Sequence, residues 1–206
     1  MSDSSVTSPL AGKEKINARG PNVPDIEESA DRGMIDLRLD QNDIPARAAA
    51  EKALGFNLPS QPRTFTASRA RAALWWSPDQ WIITCTRGQS VKLTEALDQA
   101  LNGFHAMVTN VSDARTIIRL SGHRTRETLM KGAAIDLTTS QIAEGYVRRT
   151  QISDVPVAVQ IVSLKPEIID IFVFRSYADY LWNWLARASR EGAEVRVFEP
   201  QDPPRV

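Results

Sequence analysis

Cysteine and histidine are scarce in this sequence. Cys85 is the only cysteine, and two histidines, His105 and His123, stand among 206 residues. A single thiol excludes an internal disulfide and a cysteine cluster for zinc or an iron–sulfur centre. The histidines lie far apart with no carboxylate at ligand spacing, so we predict no metal site within the chain and interpret both as half-exposed polar residues. Cys85 lies in a run of β-branched residues, which indicates a small core residue in a protein of the reducing cytoplasm.

Net charge and long hydrophobic runs are also missing. The 25 Lys and Arg residues balance the 25 Asp and Glu residues, so there is no surplus positive field for a nucleic acid. The longest apolar stretch, residues 168–174, is interrupted by Asp170 and is far shorter than the roughly 20 residues that a membrane-spanning helix needs. Residues 1–10 show no basic segment followed by an apolar one, so no secretory signal is expected. We therefore expect a soluble cytoplasmic protein that binds neither nucleic acid nor membrane.

Motifs for nucleotide binding and nucleophilic catalysis are absent as well. Gly122 is the only glycine in residues 121–126, whereas phosphate-binding loops need several. Arg124 and Arg126 beside it have two interpretations, a solvated basic face or an anion site at a helix start. Asp113 is interpreted as a turn residue, with a catalytic acid as the alternative. The sequence therefore predicts no catalytic, cofactor-binding or metal-binding residue.

Three segments are predicted along the chain. Residues 1–32 contain no aromatic residue, three prolines and the acidic residues Asp25, Glu27 and Glu28, which predicts a flexible N-terminal arm. The alternative is an arm that becomes ordered on a partner subunit. Residues 33–199 form the folded domain, and residues 200–206 form a short C-terminal tail.

Strand-like runs and amphipathic helices follow one another through the folded segment. Asp43 and Gly55 flank an alanine-rich helix as its N-cap and its terminal glycine, and Pro78-Asp79 marks a tight turn between two strands. Besides a strand from Met34, strands are predicted over 71–76, 81–86, 106–111, 115–120, 147–152, 155–162 and 168–174, and helices over 44–54, 89–101, 121–130 and from 176. Hairpins mixed with helices indicate a single α+β domain with a largely antiparallel sheet and packed helices.

The last helix and the tryptophans suggest contacts with other chains. Ser176 and Asp179 fit a capping box, and the apolar stripe of this helix is predicted at Tyr177, Tyr180, Leu181, Trp184, Leu185 and Ala188. Trp182 lies off that stripe, and Trp75 and Trp76 point to opposite faces of a strand. Because tryptophan is enriched in interface hot spots, Trp182 and Trp76 are candidate subunit contacts, with burial inside one domain as the alternative.

Five blocks of sequence carry a resemblance to a known family. They lie at 73–81, 111–116, 121–132, 136–137 and 174–182, and the last contains the run Arg-Ser-Tyr-Ala-Asp-Tyr-Leu-Trp. Together, over roughly residues 34–190, the chain resembles the gamma subunit of heterotetrameric sarcosine oxidase. It departs mildly at the turn after Trp76, where the family usually has Gly before Pro78 and Glu in place of Gln80. More distantly, the blocks are similar to the folate-binding domain of the glycine-cleavage aminomethyltransferase, an α+β fold.

The resemblance implies an accessory, non-catalytic chain of a flavoenzyme built from four different subunits. Such an enzyme demethylates sarcosine to glycine and yields hydrogen peroxide with formaldehyde or methylene-tetrahydrofolate. The alpha, beta and delta subunits are the implied partners, and FAD, FMN, NAD, tetrahydrofolate and zinc are implied for them and not for this chain. The alternative is a stand-alone folate-binding, aminomethyltransferase-like protein, which needs an acid in a pterin pocket and for which Asp113 is the one candidate. A chain that itself binds flavin lacks a phosphate-binding glycine motif.

Overall fold

The computed structural model describes residues 7–17, 23–138 and 142–193. The strands in these ranges are β1 Asp25–Glu28, β2 Arg32–Leu39, β3 Phe65–Ser68, β4 Arg71–Ser77, β5 Gln80–Thr86, β6 Ala106–Asn110, β7 Arg115–Ser121, β8 Val147–Ile152, β9 Val155–Leu164 and β10 Glu167–Phe174. The α-helices are α1 Ile44–Leu54, α2 Ser90–Ala100, α3 Thr125–Met130 and α4 Ala178–Ala188. Within these ranges, no helix has the length and apolar character needed to cross a membrane.

The strands form two five-stranded antiparallel sheets. Sheet I has the order β3-β4-β5-β2-β6, and sheet II has the order β1-β7-β10-β9-β8. The predicted hairpins at residues 71–86 and 147–162 are present, with β4 paired to β5 and β8 paired to β9. The neighbouring runs β6 and β7 lie in different sheets. The α+β class with antiparallel pairing is confirmed. The sequence predicted one sheet, whereas the structure has two.

The two sheets pack face to face and each carries helices on its outer face. The inner faces meet in an apolar layer in which the Trp76 and Phe172 rings lie 6.2 Å apart, edge to face. The outer face of sheet I packs on α1 and α2 through a separate core that contains Ala50 and Leu97. The outer face of sheet II packs on α3 and α4 through a third core that contains Leu129 and Leu181. The alternation of apolar side chains along β2, with Met34 inward and Ile35 outward, follows from this four-layer arrangement.

The two sheets repeat one topological plan. Sheet I is built in the chain order β2, α1, β3, β4, β5, α2, and sheet II in the order β7, α3, β8, β9, β10, α4. The spatial order β3-β4-β5-β2 of sheet I corresponds to β8-β9-β10-β7 of sheet II. The fifth strand is β6, which follows α2, in sheet I and β1, which precedes β2, in sheet II. The chain passes from one sheet to the other between β1 and β2 and between β6 and β7, next to the first strand of each half.

The N-terminal segment is part of the fold over its described residues. Strand β1 pairs with β7, its Ile26 is fully buried, and Ile16 forms a bridge to Ile26. Leu10 is buried in the core of sheet II. This corrects the expectation of a flexible arm over 1–32 for residues 7–17 and 23–32. In these residues β1 pairs with β7 at the edge of sheet II, and the apolar side chains fill the core. The other arm residues, and the tail at 200–206, lie outside the described residues.

The ends of the helices test two capping predictions. Asp43 accepts a hydrogen bond from the Ala46 amide at 3.0 Å, and Gly55 ends α1 with φ of 83°, so both predictions for this helix are confirmed. The capping box predicted at Ser176 and Asp179 is wrong. A 3-10 turn over Arg175–Tyr177 runs directly into α4, and no side chain caps the helix there. Asp179 instead pairs with Lys13 at 2.7 Å.

These two helix starts predict effects of different size for alanine substitution. Asp43→Ala should lower the free energy of unfolding by about 0.5–2 kcal/mol because the Ala46 amide loses its acceptor. Ser176→Ala should change it by less than about 0.5 kcal/mol because the exposed hydroxyl caps nothing. Chemical denaturation of the full chain and of both variants measures the difference, and equal destabilisation by the two substitutions would contradict the assignment.

Candidate functional site

A small polar pocket lies where the two halves meet. Its volume is about 120 Å³, and its lining includes four arginines, Arg32, Arg87, Arg115 and Arg175. Arg32 begins β2 and Arg115 begins β7, whereas Arg87 and Arg175 each begin a 3-10 turn just after a strand. The site is therefore built from the ends of regular elements, which fix the position of each backbone.

The four arginines occupy equivalent positions of the two halves. Arg32 is the partner of Thr86 in the β2–β5 ladder, and Arg115 is the partner of Phe174 in the β7–β10 ladder. Arg87 and Arg175 follow Thr86 and Phe174 directly. Each half therefore contributes one arginine from its first strand and one from the turn before its last helix.

Arg115 is held by aromatic rings. Its guanidinium lies 4.1 Å from the centre of the Phe174 ring and 5.5 Å from that of Trp76, within the range of cation–π attraction. It makes no hydrogen bond or ion pair with the described parts of the chain. Burial lowers the pKa of Arg115, nearby Asp36 opposes that shift, and Arg149 adds to it. The guanidinium is thus oriented and partly desolvated without a hydrogen-bond acceptor from these residues.

The acids at the pocket are already engaged. Glu28 accepts hydrogen bonds from the hydroxyls of Ser8 and Thr116, and Asp113 forms an ion pair with Arg87. Arg175 donates to the carbonyl oxygen of Thr7 at 3.0 Å, and Arg32 donates to Ser29. Over the described ranges, no carboxylate forms an ion pair with Arg32, Arg115 or Arg175.

Trp182 is a core residue of this chain. Its side chain is 4% exposed and packs in the core between α4 and sheet II. The buried face of α4 is Ala178, Leu181, Trp182 and Leu185, one residue away from the predicted stripe, so Tyr177 and Tyr180 are 45% and 50% exposed. This corrects the expectation of a subunit contact at Trp182 in favour of the alternative, burial within the domain, because α4 turns Trp182 toward the same core as Leu181 and Leu185.

Trp76 also lies inside the chain. It is 6% exposed and packs between the sheets against Phe172, so its indole presents almost no surface to another subunit. The structure therefore corrects this candidate contact too. The indole N–H of Trp75, the neighbouring residue, is buried without an acceptor among the described residues.

The other candidate residues named from the sequence lie in separate regions of the structure. Cys85 is buried beneath α2, and burial raises the pKa of its thiol. His105 lines a surface pocket beside Met107, and His123 lines another beside Glu167.

Arg126 forms an ion pair with Glu167 at 2.6 Å, and Arg124 forms one with Glu127 at 3.7 Å. Both arginines thus serve interactions inside the chain, and in the described ranges no group of three His, Cys, Asp or Glu residues is placed to share a metal ion.

The arginine-lined pocket was missed by sequence reasoning. The sequence shows Arg115 close to Arg119, Arg124 and Arg126, but Arg119 pairs with Asp170 and the other two lie elsewhere. The true neighbours of Arg115 come from distant parts of the chain. A comparison of the two halves for arginine at equivalent strand ends is the signal that leads to them.

Comparison with known proteins identifies the family. Residues 38–191 match the model of the sarcosine oxidase, gamma subunit family. The chain belongs to this family. A sarcosine oxidase gamma subunit from an Arthrobacter species is 27% identical over 151 residues, which cover 73% of this chain and 72% of that one.

Two solved structures are similar in fold to this chain. One is a chain of the heterotetrameric sarcosine oxidase from Corynebacterium sp. U-96, in complex with pyrrole 2-carboxylate, with a TM-score of 0.81 and 22% identity. The match covers 93% of this chain and 98% of that one. The other is the glycine cleavage system aminomethyltransferase T from Bartonella henselae, with a TM-score of 0.61 and 13% identity over 88% of this chain and 57% of that one. The family and the fold predicted from the sequence blocks are thus confirmed.

Truncation of Trp182 should destabilise the domain itself. Trp182→Ala should lower the free energy of unfolding by about 3–5 kcal/mol because it empties a filled core. Tyr180→Ala on the same helix should cost about 1 kcal/mol or less, because its ring is half exposed. Denaturation of the full chain with each substitution measures both values, and a Trp182 variant as stable as the unsubstituted chain would contradict the core assignment.

Cys85 should be unreactive in the folded chain. A buried thiol with a raised pKa holds little thiolate at pH 8, and the reagent cannot reach it. A chromogenic disulfide reagent should therefore modify Cys85 slowly in native buffer and completely in denaturant. Equal modification rates in the two conditions would place the thiol at the surface.

Proposed function

We propose that this chain is the accessory gamma subunit of a heterotetrameric sarcosine oxidase. The observation that carries the proposal is the family match over residues 38–191. The fold likeness to a chain of the Corynebacterium enzyme supports it, because that likeness extends over nearly the whole length of both chains. The alpha, beta and delta subunits are the proposed partners, and the assembled enzyme is proposed to be cytoplasmic.

The chemistry is proposed to take place on the partner subunits. These would hold FAD, FMN, NAD, tetrahydrofolate and zinc, and would convert sarcosine to glycine with hydrogen peroxide and formaldehyde or methylene-tetrahydrofolate. The interactions within this chain support a structural role, because its partly buried charges stabilise its own fold. Arg119 binds Asp170 through two hydrogen bonds of 2.7 and 2.8 Å between β7 and β10, and this contact raises the pKa of Arg119.

The alternative of a stand-alone folate-binding protein has less support from the geometry. Asp113, the one acid considered from the sequence for a pterin pocket, is exposed and forms an ion pair with Arg87. The layer between the sheets is occupied by side chains such as Met34, Trp76 and Phe172. A pterin bound between the sheets would have to displace them.

Co-expression tests the proposed function. A tagged copy of this chain, produced with the alpha, beta and delta chains of its own organism, should retain all three and show flavin absorbance and sarcosine-dependent hydrogen peroxide formation. The same chain produced alone should be colourless. Recovery of the tagged chain without partners would contradict the proposal, as would stoichiometric flavin on the isolated chain. Tetrahydrofolate binding to the isolated chain would instead favour the alternative.

A further inference from the structure

We propose that the arginine-lined pocket between the two halves binds one oxyanion group, a carboxylate or a phosphate, supplied from outside the chain. Nothing in the proposed accessory role requires such a site, and the inference rests on this chain alone. The oxyanion is either a small ion from solution or a carboxylate of another subunit. These two sources share the same recognition chemistry, because arginine forks bind both groups through paired hydrogen bonds.

The charge at the pocket is unbalanced. Its lining contains four arginines against two acids, Glu28 and Asp113. Asp113 is paired with Arg87, and the Glu28 oxygens accept from hydroxyl groups. Arg32 and Arg115, which are half-buried, and Arg175, which is exposed, therefore line one small space without an ion pair to the described residues. Glu28 offsets one of these three charges and Asp36 acts on Arg115 from a distance, so an excess of positive charge remains that an anion entering the pocket would balance.

The arginines are oriented before any ligand arrives. Arg115 is held by the Phe174 and Trp76 rings, Arg175 by the carbonyl oxygens of Thr7 and Asp113, and Arg87 by Asp113. Preorganised donors lose little side-chain entropy on binding, which favours affinity. The burial that lowers the pKa of Arg115 also reduces solvent screening of its charge, so a bound anion would interact with it more strongly than at an exposed surface.

The volume limits the size of the ligand. About 120 Å³ is well below the roughly 300–1,000 Å³ of pockets that enclose drug-sized molecules. A single carboxylate or phosphate group fits such a space, whereas a nucleotide does not. The site is thus suited to an ion or to the end of one side chain.

Titration of the full chain tests binding from solution. Inorganic phosphate and acetate, each added at constant ionic strength, should raise the midpoint of thermal unfolding, and calorimetry should give a dissociation constant for phosphate. Arg115→Gln and Arg32→Gln should each weaken phosphate binding about tenfold or more, equivalent to about 1.4 kcal/mol. Arg187→Gln removes the same charge from an exposed position on α4 and should leave binding unchanged. Arg32→Gln serves as the second variant because Arg32 lacks the aromatic contacts that Arg115→Gln would disturb.

Assembly with the other subunits tests the second source. If the oxyanion is a partner carboxylate, Arg115→Gln and Arg32→Gln should reduce recovery of the co-expressed partners at least tenfold, while Arg187→Gln should not. Loss of phosphate binding without loss of assembly would identify an ion from solution. The proposal is overturned if phosphate and acetate leave the unsubstituted chain unchanged and both pocket variants assemble normally.

Asp3 is tested as an internal competitor, because it is the acid closest in sequence to Thr7, which lines the pocket. Asp3→Asn should leave thermal stability unchanged and phosphate affinity equal or higher. If it instead lowers the unfolding midpoint as much as Arg115→Gln does, and only then allows phosphate to bind, the chain supplies its own carboxylate and the proposal of an external oxyanion is overturned.

Discussion

The face-to-face contact between the two sheets is the constraint on which the other layers depend. Because sheet I and sheet II bury their inner faces against each other, central strands such as β5 and β10 have little exposure on either side. Such strands need apolar side chains on both faces, and each outer face then needs helices to cover it. The contact between Trp76 and Phe172 lies in this inner layer. With the middle of the molecule filled by side chains, sites for ligands or partners remain at its rim and surface.

The repeated plan of the two halves explains how four arginines come together. Elements of the same kind end at corresponding points, and the segments that cross between the sheets bring these points side by side. Ser112 links the halves through hydrogen bonds with Met34, and the Ser29 amide donates to Ile117. A residue type that is present at these ends in both halves therefore occurs twice within one small region. For an apolar residue this adds to the core, whereas for arginine it concentrates positive charge.

Membership of the sarcosine oxidase gamma subunit family fits a chain whose polar side chains mainly support its own structure. Asp170 is buried and paired with Arg119 across two strands, and Glu167 holds the start of α3 through Arg126. Removal of one partner from such a pair would leave the other charge partly buried and unmatched, which is strongly destabilising. The arginine-lined pocket stands apart because its positive charge exceeds the negative charge beside it.

Local patterns in the sequence determined the elements. Asp43 and Gly55 defined α1 and Pro78-Asp79 placed one turn, because capping and turn formation depend on residues only a few positions apart. The tertiary structure alone decided the rest. It assigned β6 and β7 to different sheets, added β1 to the edge of β7, and rotated α4 by one residue, about 100°, so that Trp182 faces the core. It also brought Arg32 to Arg115, since contacts between distant segments depend on how whole layers pack, which no short stretch of sequence encodes.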